Sequence, residues 1–412
     1  MEFPGAHWID EREIQAVVRV LKSRSLFRYY GIDPQNEVET FEKEFARFVG
    51  VRYALAVASG TGALITALSA LGVGPGQEII IPAYLWVSIV SAVVSHGAVP
   101  VLADIDDTFC LDPAEVARQI TPRTRGIIMA HMSGAPGDVK AVRAVAKEHG
   151  LFLLEDCAQC AGGSVAGNRV GTFGDIGIFS FQLNKNMTAG EGGCLVTNDE
   201  GLYRRAVACH DLGYSRDDKG RLVLDSSGPH LWGRGYRMDE LRAAVLRVQL
   251  EKLPQVTAAM RRSKYRIRQA LEGFPIVRLR RILDSEGDTG AFLITTYPDA
   301  ATARAVNSAL RAEGLVSYPQ GVSNILMTEW GLHLYYNNVS LVERACSDGV
   351  RFPWALQENE GLSRQYAKGA CPRADDLFER SILLAIPSCL TREDEDEIIE
   401  AFTRVLAGIR RR

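Results

Sequence analysis

The sequence predicts an α/β protein with two parts, a large domain built on a mostly parallel, seven-stranded sheet and a smaller α+β domain after it. Two observations support this prediction. Between residues 53 and 197, seven short apolar runs alternate with runs of helical periodicity, a pattern typical of parallel strands that helices cover on both faces. The chain also has 412 residues, which is more than one small core needs. We place the two domains at residues 1–253 and 254–412.

The large domain is predicted to begin with two helices, at residues 9–22 and 36–49, because apolar residues recur there at helical spacing. Seven candidate strands follow, at residues 54–58, 78–81, 100–104, 126–131, 151–155, 176–181 and 194–197. Helices are predicted between them at residues 62–71, 87–94, 113–120 and 139–149. In sheets of this kind, functional side chains collect in the loops beyond the carboxyl ends of the strands.

After residue 200 the periodicity weakens, and residues 213–235 are predicted to form a long loop. Two helices are expected next, at residues 238–253 and about 256–271, because Pro254 cannot continue a helical hydrogen-bond ladder. The smaller domain is predicted from the segments that regain periodicity. These are strands at residues 291–297 and 381–386, and helices at residues 300–313 and 392–407, the last with Thr391 as its N-cap. Residues 318–373 are aromatic and irregular, which predicts that they line or cover a site.

Composition excludes several classes of protein. The formal net charge is -3 and no long basic run occurs, which argues against nucleic-acid binding. No stretch offers the roughly twenty apolar residues of a membrane span, and the N-terminus lacks the pattern of a secretory leader, so a cytoplasmic location is expected.

The eight cysteines form no dense framework and are expected to be reduced. Cys157 and Cys160 have CxxC spacing, but we favour small buried residues packed behind an active site over a redox pair or a metal site.

Polar residues follow several of the predicted strands. Gly60 and Thr61 stand where the first strand feeds a helix, so free N–H groups there are suited to hold a phosphate, although a simple helix cap has the same pattern. Trp86 follows the second strand and is suited either to cover a planar ring or to pack in the core. Asp156 and Gln159 follow the fifth strand. A carboxylate at a buried strand end needs a cationic or protonated partner, and a pyridinium nitrogen is such a partner.

Lys185 lies at the centre of residues 180–193 (SFQLNKNMTAGEGG), which join two apolar runs and predict a strand, a turn and a strand. A lysine that points from such a turn into a cavity has a lowered pKa, because desolvation disfavours its charged form, and it can then attack carbonyls. The alternative is a solvated turn lysine. Taken together, a phosphate cradle, a ring cover, a ring-nitrogen carboxylate and an aldehyde-binding lysine describe a site for pyridoxal 5'-phosphate.

These motifs closely resemble those of the DegT/StrS family of pyridoxal-phosphate aminotransferases, which act on keto-sugars and cyclitols. The family belongs to the aspartate aminotransferase superfamily and has its fold, type I. The resemblance runs from about residue 31 to the C-terminus. It rests on residues 59–64 (SGTGAL), 82–86 (PAYLW), 155–159 (EDCAQ), 180–185 (SFQLNK), 190–193 (GEGG) and 236–241 (YRMDEL).

The resemblance implies a role for each of these motifs. Lys185 holds the cofactor as an internal aldimine and moves protons, and Asp156 pairs with the ring nitrogen. Gln159 bonds the ring oxygen and Trp86 stacks on the ring. The phosphate is implied to bind Gly60, Thr61 and Ser180. The implied reaction is ping-pong: glutamate or glutamine converts the cofactor to pyridoxamine phosphate, which then aminates a ketone or aldehyde.

Two departures from the family pattern bear on the substrate and on the partner subunit. Gln182 stands where many sugar-nucleotide members have a histidine, and a glutamine there points to the cyclitol-type members of antibiotic pathways. Gly235 stands where many members have an asparagine that reaches the phosphate of the partner subunit. The resemblance implies a homodimer with shared active sites, and we hypothesise that Arg234 supplies the missing contact.

The acceptor stays open between a nucleotide-linked keto-sugar and a keto-cyclitol. We expect four residues to contact it: Tyr30, Gln182, Tyr318 and His333. Two other functions were considered. A dehydratase that uses pyridoxamine phosphate is disfavoured because such relatives replace the lysine, and a non-catalytic regulator leaves the complete set of cofactor residues unexplained.

Overall fold

The computed structural model describes residues 3–217, 220–224, 229, 231–316, 323–345, 351–362 and 364–409. Its first two helices are α1 (Glu11–Ser23) and α2 (Glu37–Val49), as the periodicity predicts. Helix α1 begins at a capping box, in which the Asp10 side chain accepts a hydrogen bond from the first turn and Glu13 accepts one from the Asp10 N–H.

The large domain contains the predicted alternation of strands and helices. Its strands are β1 (Tyr53–Val57), β2 (Glu78–Pro82), β3 (Val99–Ala103), β4 (Thr124–Ala130), β5 (Phe152–Asp156), β6 (Ser164–Val165), β7 (Asn168–Arg169), β8 (Ile176–Ser180) and β9 (Gly193–Thr197). Its further helices are α3 (Gly60–Ala70), α4 (Ser88–Ser95), α5 (Pro113–Gln119), α6 (Val139–Glu148) and α7 (Glu200–His210). The seven predicted strands and the four predicted helices are confirmed. The short β6–β7 hairpin and α7 were not predicted.

Seven of these strands form one sheet in the order β1-β9-β8-β5-β4-β2-β3. Strand β9 runs antiparallel to both of its neighbours, β1 and β8, and the other pairs are parallel. Because β1 and β8 are both reversed relative to β9, they run in the same direction as the remaining strands. The loops that follow β1, β2, β5 and β8 therefore meet at one edge of the sheet, which is where the candidate residues lie.

Helix α8 (Glu240–Leu271) is a single helix of 32 residues, so the predicted break at Pro254 is wrong. A proline inside a helix costs about 3 kcal/mol, but buried residues continue on both sides of it. Leu253 packs in the core of the large domain and Val256 in that of the smaller one. The Thr257 hydroxyl also donates to the Leu253 and Pro254 carbonyls, both at 3.1 Å. The domain boundary that we propose after residue 253 thus falls inside a continuous helix.

The smaller domain is built on a four-stranded antiparallel sheet in the order β10-β11-β13-β12. Its strands are β10 (Arg278–Leu279), β11 (Phe292–Thr296), β12 (Asn324–Leu326) and β13 (Ser381–Ala385). Its helices are α9 (Ala300–Ala312), α10 (Val339–Val342), α11 (Pro372–Arg380) and α12 (Arg392–Ile409). The two predicted strands and two predicted helices are confirmed, and Thr391 caps α12 as expected, because its Oγ1 accepts from the Asp394 N–H at 3.2 Å.

No disulfide joins the cysteines in the described part of the chain. Cys157 and Cys160 are both fully buried in a core cluster that includes residues of α2, β8, β9 and α8. No helix in the described ranges is both long enough and apolar enough to cross a membrane.

Candidate active site

A cavity of about 620 Å³ lies at the carboxyl edge of the large sheet, between that edge and residues of the smaller domain such as Phe292 and Ala385. Its volume is in the range of small-molecule and cofactor sites. Most of the residues chosen from the sequence line this cavity. They are Gly60, Thr61, Trp86, Asp156, Gln159, Ser180, Gln182, Lys185 and His333.

Two predicted site residues in the described part of the chain are not part of this cavity wall. Tyr30 is 66% exposed and packs its ring against Phe27 at 4.8 Å between centroids. Arg234 is also exposed. The described cavity of a single chain is therefore lined by neither residue. Tyr30 stays a prediction for an acceptor contact, and Arg234 stays a prediction for a contact to the phosphate of the partner subunit. Tyr318 lies outside the described residues.

The N-terminus of α3 forms one end of the cavity. The hydroxyl of Ser59 accepts a hydrogen bond from the Gly62 N–H at 3.0 Å, while the N–H groups at the very start of the helix have no partner within it. A Cβ on Gly60 would lie 2.7 Å from the Ser180 Cβ, so glycine is required for the helix to approach the end of β8 this closely. The Thr61 and Ser88 hydroxyls are 2.8 Å apart beside it. This helix end provides the free donors and positive dipole that suit a phosphate.

Asp156 is the last residue of β5 and its side chain faces the same cavity. It is 7% exposed, and one carboxylate oxygen accepts from the Ala158 N–H at 2.9 Å. Burial raises the pKa of Asp156, whereas the Ala158 amide and the charge of Lys185 act in the opposite direction. The carboxylate is therefore poorly solvated and is stabilised by any cationic group that enters the cavity.

Lys185 is partly exposed, and it lines the cavity. Burial lowers the pKa of its amine, and the negative charges of Asp156 and Glu191 oppose that effect. The lowered pKa increases the fraction of neutral, nucleophilic amine. The alternative was a solvated turn lysine, and the place of Lys185 in the cavity wall together with its lowered pKa favours the cavity lysine over it.

The loop between β8 and β9 holds Lys185 by backbone contacts on both sides. The Lys185 N–H donates to the Gln182 carbonyl at 3.0 Å, and the Lys185 carbonyl accepts from the Gly5 N–H at 3.0 Å. The buried side-chain amide of Asn186 donates to the Ala161 carbonyl at 2.9 Å. The loop is thus anchored to the large domain and to the N-terminal segment.

An aromatic wall with one amide forms another side of the cavity. The Trp86 ring is 43% exposed and lies 4.8 Å from the ring of His333. His333 stacks on Trp330, with 4.4 Å between ring centroids and 13° between planes. Its Nε2 is 3.2 Å from Nε2 of Gln159, and the Gln159 Oε1 accepts from the Ser133 N–H at 2.9 Å.

The sequence reasoning missed the N-terminal residues that reach this site. Phe3 and Pro4 line the cavity. The Ser388 hydroxyl, from the smaller domain, donates to the Pro4 carbonyl at 2.9 Å and accepts from the Trp8 indole N–H at 3.1 Å. These contacts could not be predicted from a local sequence pattern, because they join segments that lie far apart along the chain.

His131, Glu155 and Cys157 place three potential metal ligands within 4.8 Å of one another. Both oxygens of Glu155 already accept hydrogen bonds from backbone N–H groups, and one of them also accepts from the His131 ring at 3.1 Å. The backbone donors are Gly171, Phe173 and Gly174, at 2.6 to 2.9 Å. Hydrogen bonding therefore accounts for this buried carboxylate, and we assign no metal to the cluster.

Comparison with known proteins identifies the family of this chain and proteins that are similar to it. The chain matches the model of the DegT/DnrJ/EryC1/StrS aminotransferase family over residues 7–321. It is 42% identical to an L-glutamine:2-deoxy-scyllo-inosose aminotransferase from Streptoalloteichus tenebrarius, over 61% of this chain but only 60% of the relative. It is 30% identical to the spore coat polysaccharide biosynthesis protein SpsC of Bacillus subtilis, over 97% of this chain and 96% of the relative.

The solved structure of 3-amino-5-hydroxybenzoic acid synthase superposes on the chain with a TM-score of 0.80. The two sequences are 29% identical, and the superposition covers 100% of this chain and 99% of the other. The predicted fold, an aminotransferase of type I with a mostly parallel sheet, is confirmed by this likeness and by the sheet order.

Proposed function

Because this chain belongs to the DegT/DnrJ/EryC1/StrS aminotransferase family, we propose that it is a pyridoxal-phosphate-dependent aminotransferase that aminates a cyclic ketone. The observation that carries the proposal is the placement of Lys185 and Asp156 in one cavity, each with its pKa shifted toward the neutral form by burial. A desolvated amine beside a desolvated carboxylate is the arrangement that a carbonyl cofactor with a protonatable ring nitrogen requires.

The residues present fit that cofactor. The helix N-terminus at Gly60 and Thr61, with Ser180 beside it, offers hydrogen-bond donors for a phosphate group. Asp156 would hold the ring nitrogen and keep it protonated. Trp86 presents an exposed indole face to the cavity on which a planar ring can stack. When bound, the cofactor supplies an aldehyde that takes up amino groups and a ring that accepts electron density.

Each protein group has a defined task in this proposal. In each half-reaction the amine of Lys185 would accept a proton at its Nζ from the carbon that loses it and donate that proton to the carbon that gains it, so the amine is neutral again when the half-reaction ends. The carboxylate of Asp156 would stabilise positive charge on the ring nitrogen that it holds.

For the amino donor we propose L-glutamine or L-glutamate, and for the acceptor a six-membered carbocyclic ketone. Gln182 lines the cavity at the position where many nucleotide-sugar members of the family have a histidine. The relative from Streptoalloteichus tenebrarius is named for L-glutamine and 2-deoxy-scyllo-inosose. Both observations support a cyclitol ketone over a nucleotide-linked sugar.

The two half-reactions test this proposal separately. The full chain is loaded with pyridoxal 5'-phosphate, and L-glutamine and L-glutamate are added in turn while the visible absorbance of the bound cofactor is followed. The donor is expected to bleach the band, and 2-deoxy-scyllo-inosose is expected to restore it. If only a nucleotide-linked keto-sugar restores it, the cyclitol assignment is wrong. If neither amino acid bleaches it, the aminotransferase assignment fails.

We also propose that two copies of the chain form a homodimer with shared active sites. Trp232 is 93% exposed and Leu224 is 86% exposed, and both belong to the same loop as Arg234. Covering such side chains with a partner removes apolar surface from water, which is favourable. A second copy that covers this loop would bring Arg234 toward the neighbouring cavity.

A further inference from the structure

The side-chain amide of Gln159 has a defined orientation. The Ser133 N–H, 2.9 Å away, can only donate, so the group facing it must be the carbonyl oxygen of the amide. The NH₂ group of Gln159 therefore lies on the other side, where the Nε2 of His333 is 3.2 Å away. One of its two hydrogens is directed at the histidine, and the second is left for another acceptor.

The protonation of His333 follows from its own partners. Its Nδ1 lies 2.9 Å from the Trp330 carbonyl, which can only accept, so Nδ1 carries the proton. The Nε2 of the neutral ring then has a lone pair that accepts from Gln159. Burial lowers the pKa of His333 to about 4; the Trp330 carbonyl raises it, and the nearby charge of Lys185 lowers it further. The ring is thus neutral at physiological pH.

Ring contacts and a backbone hydrogen bond also hold His333 in place. It stacks on Trp330 and contacts Trp86, and its backbone carbonyl accepts from the Leu85 N–H at 3.0 Å. These contacts hold the residue against the loop that follows β2. A ring with so little freedom is a rigid acceptor for the Gln159 amide.

We propose that His333 is a positioning residue, which holds the amide of Gln159 so that its second N–H donates to an oxygen of the bound cofactor ring. This inference rests on the proposed function and deepens it. It also replaces the sequence-based expectation that His333 contacts the acceptor. His333 lies in residues 323–345, which include α10, whereas Gln159 follows β5 of the large domain. A residue from a distant segment thus orients a donor at the edge of the large sheet.

The test compares two substitutions of His333 in the loaded, full-length protein. His333→Leu removes the acceptor, whereas His333→Gln can place an amide oxygen near the former Nε2. A donor to an ionised ring oxygen favours the deprotonated form, so its loss raises the pH midpoint of the visible absorbance band, by about one unit. We expect that shift in His333→Leu and in Gln159→Leu, a smaller one in His333→Gln, and no further shift in the double Leu variant.

Two outcomes would overturn the inference. In one, His333→Leu leaves the midpoint unchanged and raises only the KM for the acceptor about tenfold, which is the signature of a direct substrate contact. In the other, His333→Leu and Gln159→Leu shift the midpoint additively, which means that they act independently. The exposed His149 provides the matched control, since His149→Leu is expected to leave the midpoint where it is.

A second measurement separates this inference from the proposed function. Nuclear magnetic resonance of ¹⁵N-labelled histidines in the full chain without added cofactor reports which ring nitrogen of His333 carries the proton. A neutral ring protonated at Nδ1 is expected at pH 7, and a ring protonated at Nε2 would contradict the inference. If the protein shows that ring state but binds no pyridoxal 5'-phosphate, the proposed function fails and the hydrogen-bond network stands.

Discussion

Two regions of the molecule enclose the cavity, and they are built differently. The sheet edge consists of the residues that follow β1, β2, β5 and β8, including Gly60, Asp156 and Lys185. The cover consists of residues 3–8 and 323–345, which contain Phe3, Trp330 and His333. The sheet edge takes its geometry from buried strands, whereas the cover reaches the site through a few hydrogen bonds and ring contacts between distant segments. Changes in the sheet edge should therefore affect the chemical step most, and changes in the cover should affect substrate selection and the fine position of side chains.

The largest effect is expected at the centre of the sheet edge. Lys185→Ala removes the amine that binds the carbonyl and transfers the proton, so turnover should fall by about 10⁴-fold or more. The visible band that lysine-bound cofactor gives should also disappear, while the melting temperature stays close to that of the parent protein. Steady-state rates and absorbance spectra measure both. The exposed Lys140 on α6 provides the control, and loss of activity in Lys140→Ala as well would show that the effect is not specific.

Asp156→Asn should lower kcat by about 10³-fold, because a neutral amide cannot stabilise a protonated ring nitrogen. The stability of the cofactor-free protein should change in the opposite direction. The folded-state pKa of Asp156 is raised by burial, so ionisation costs stability as the pH rises above the ordinary pKa of the carboxyl. The variant removes that cost and should melt at a slightly higher temperature at pH 7. Thermal melts at pH 3 and pH 7 should show the gain only at the higher pH.

The next prediction tests the proposed homodimer through Arg234, which belongs to neither the sheet edge nor the cover. Arg234→Ala should weaken cofactor binding about tenfold, through loss of a charge-assisted hydrogen bond to the phosphate of the neighbouring site. Adding an excess of the inactive Lys185→Ala protein should return the cofactor affinity of the remaining active sites to the parent value, because each partner then supplies an intact Arg234. If mixing changes nothing, Arg234 does not act across subunits. Activity as a function of free cofactor concentration decides between these outcomes.

The smallest effect is expected in the cover. A Cβ on Gly5 would lie 2.9 Å from the Met187 Cα and 3.0 Å from the Lys185 carbonyl oxygen. Gly5→Ala should therefore displace residues 3–8, weaken the hydrogen bond to Lys185 and cost about 1 kcal/mol of stability. We expect kcat/KM for the acceptor to fall a few-fold with little change in the amino-donor half-reaction. Gly273→Ala is the matched control, because a Cβ there meets nothing within 4 Å.

The difference between the two regions also explains which parts of the fold and of the site could be predicted from the sequence. The seven strands of the large sheet and the residues at their carboxyl ends follow from local periodicity and short motifs, since strands such as β2 and β5 have an apolar run and are buried along their whole length. The continuity of α8 through Pro254 does not follow from local rules, because burial on both sides outweighs the penalty of the proline. Helix α7 was missed although Asp199 caps it, with its carboxylate accepting from the Leu202 N–H at 2.8 Å.

By itself, the sequence determined the fold class, the family and the residues of the sheet edge, because these depend on spacing along short stretches of chain. Only the tertiary structure decided which residues cover the site, that Gly5 bonds to the backbone of Lys185, and that His333 faces an amide of the large domain. It also showed that Tyr30 and Arg234 lie away from the cavity of their own chain. The physical reason is that such contacts join segments that lie far apart along the chain, Gln159 and His333 being 174 residues apart. Packing and hydrogen bonding of the whole fold determine these partners, and a local sequence pattern contains no information about them.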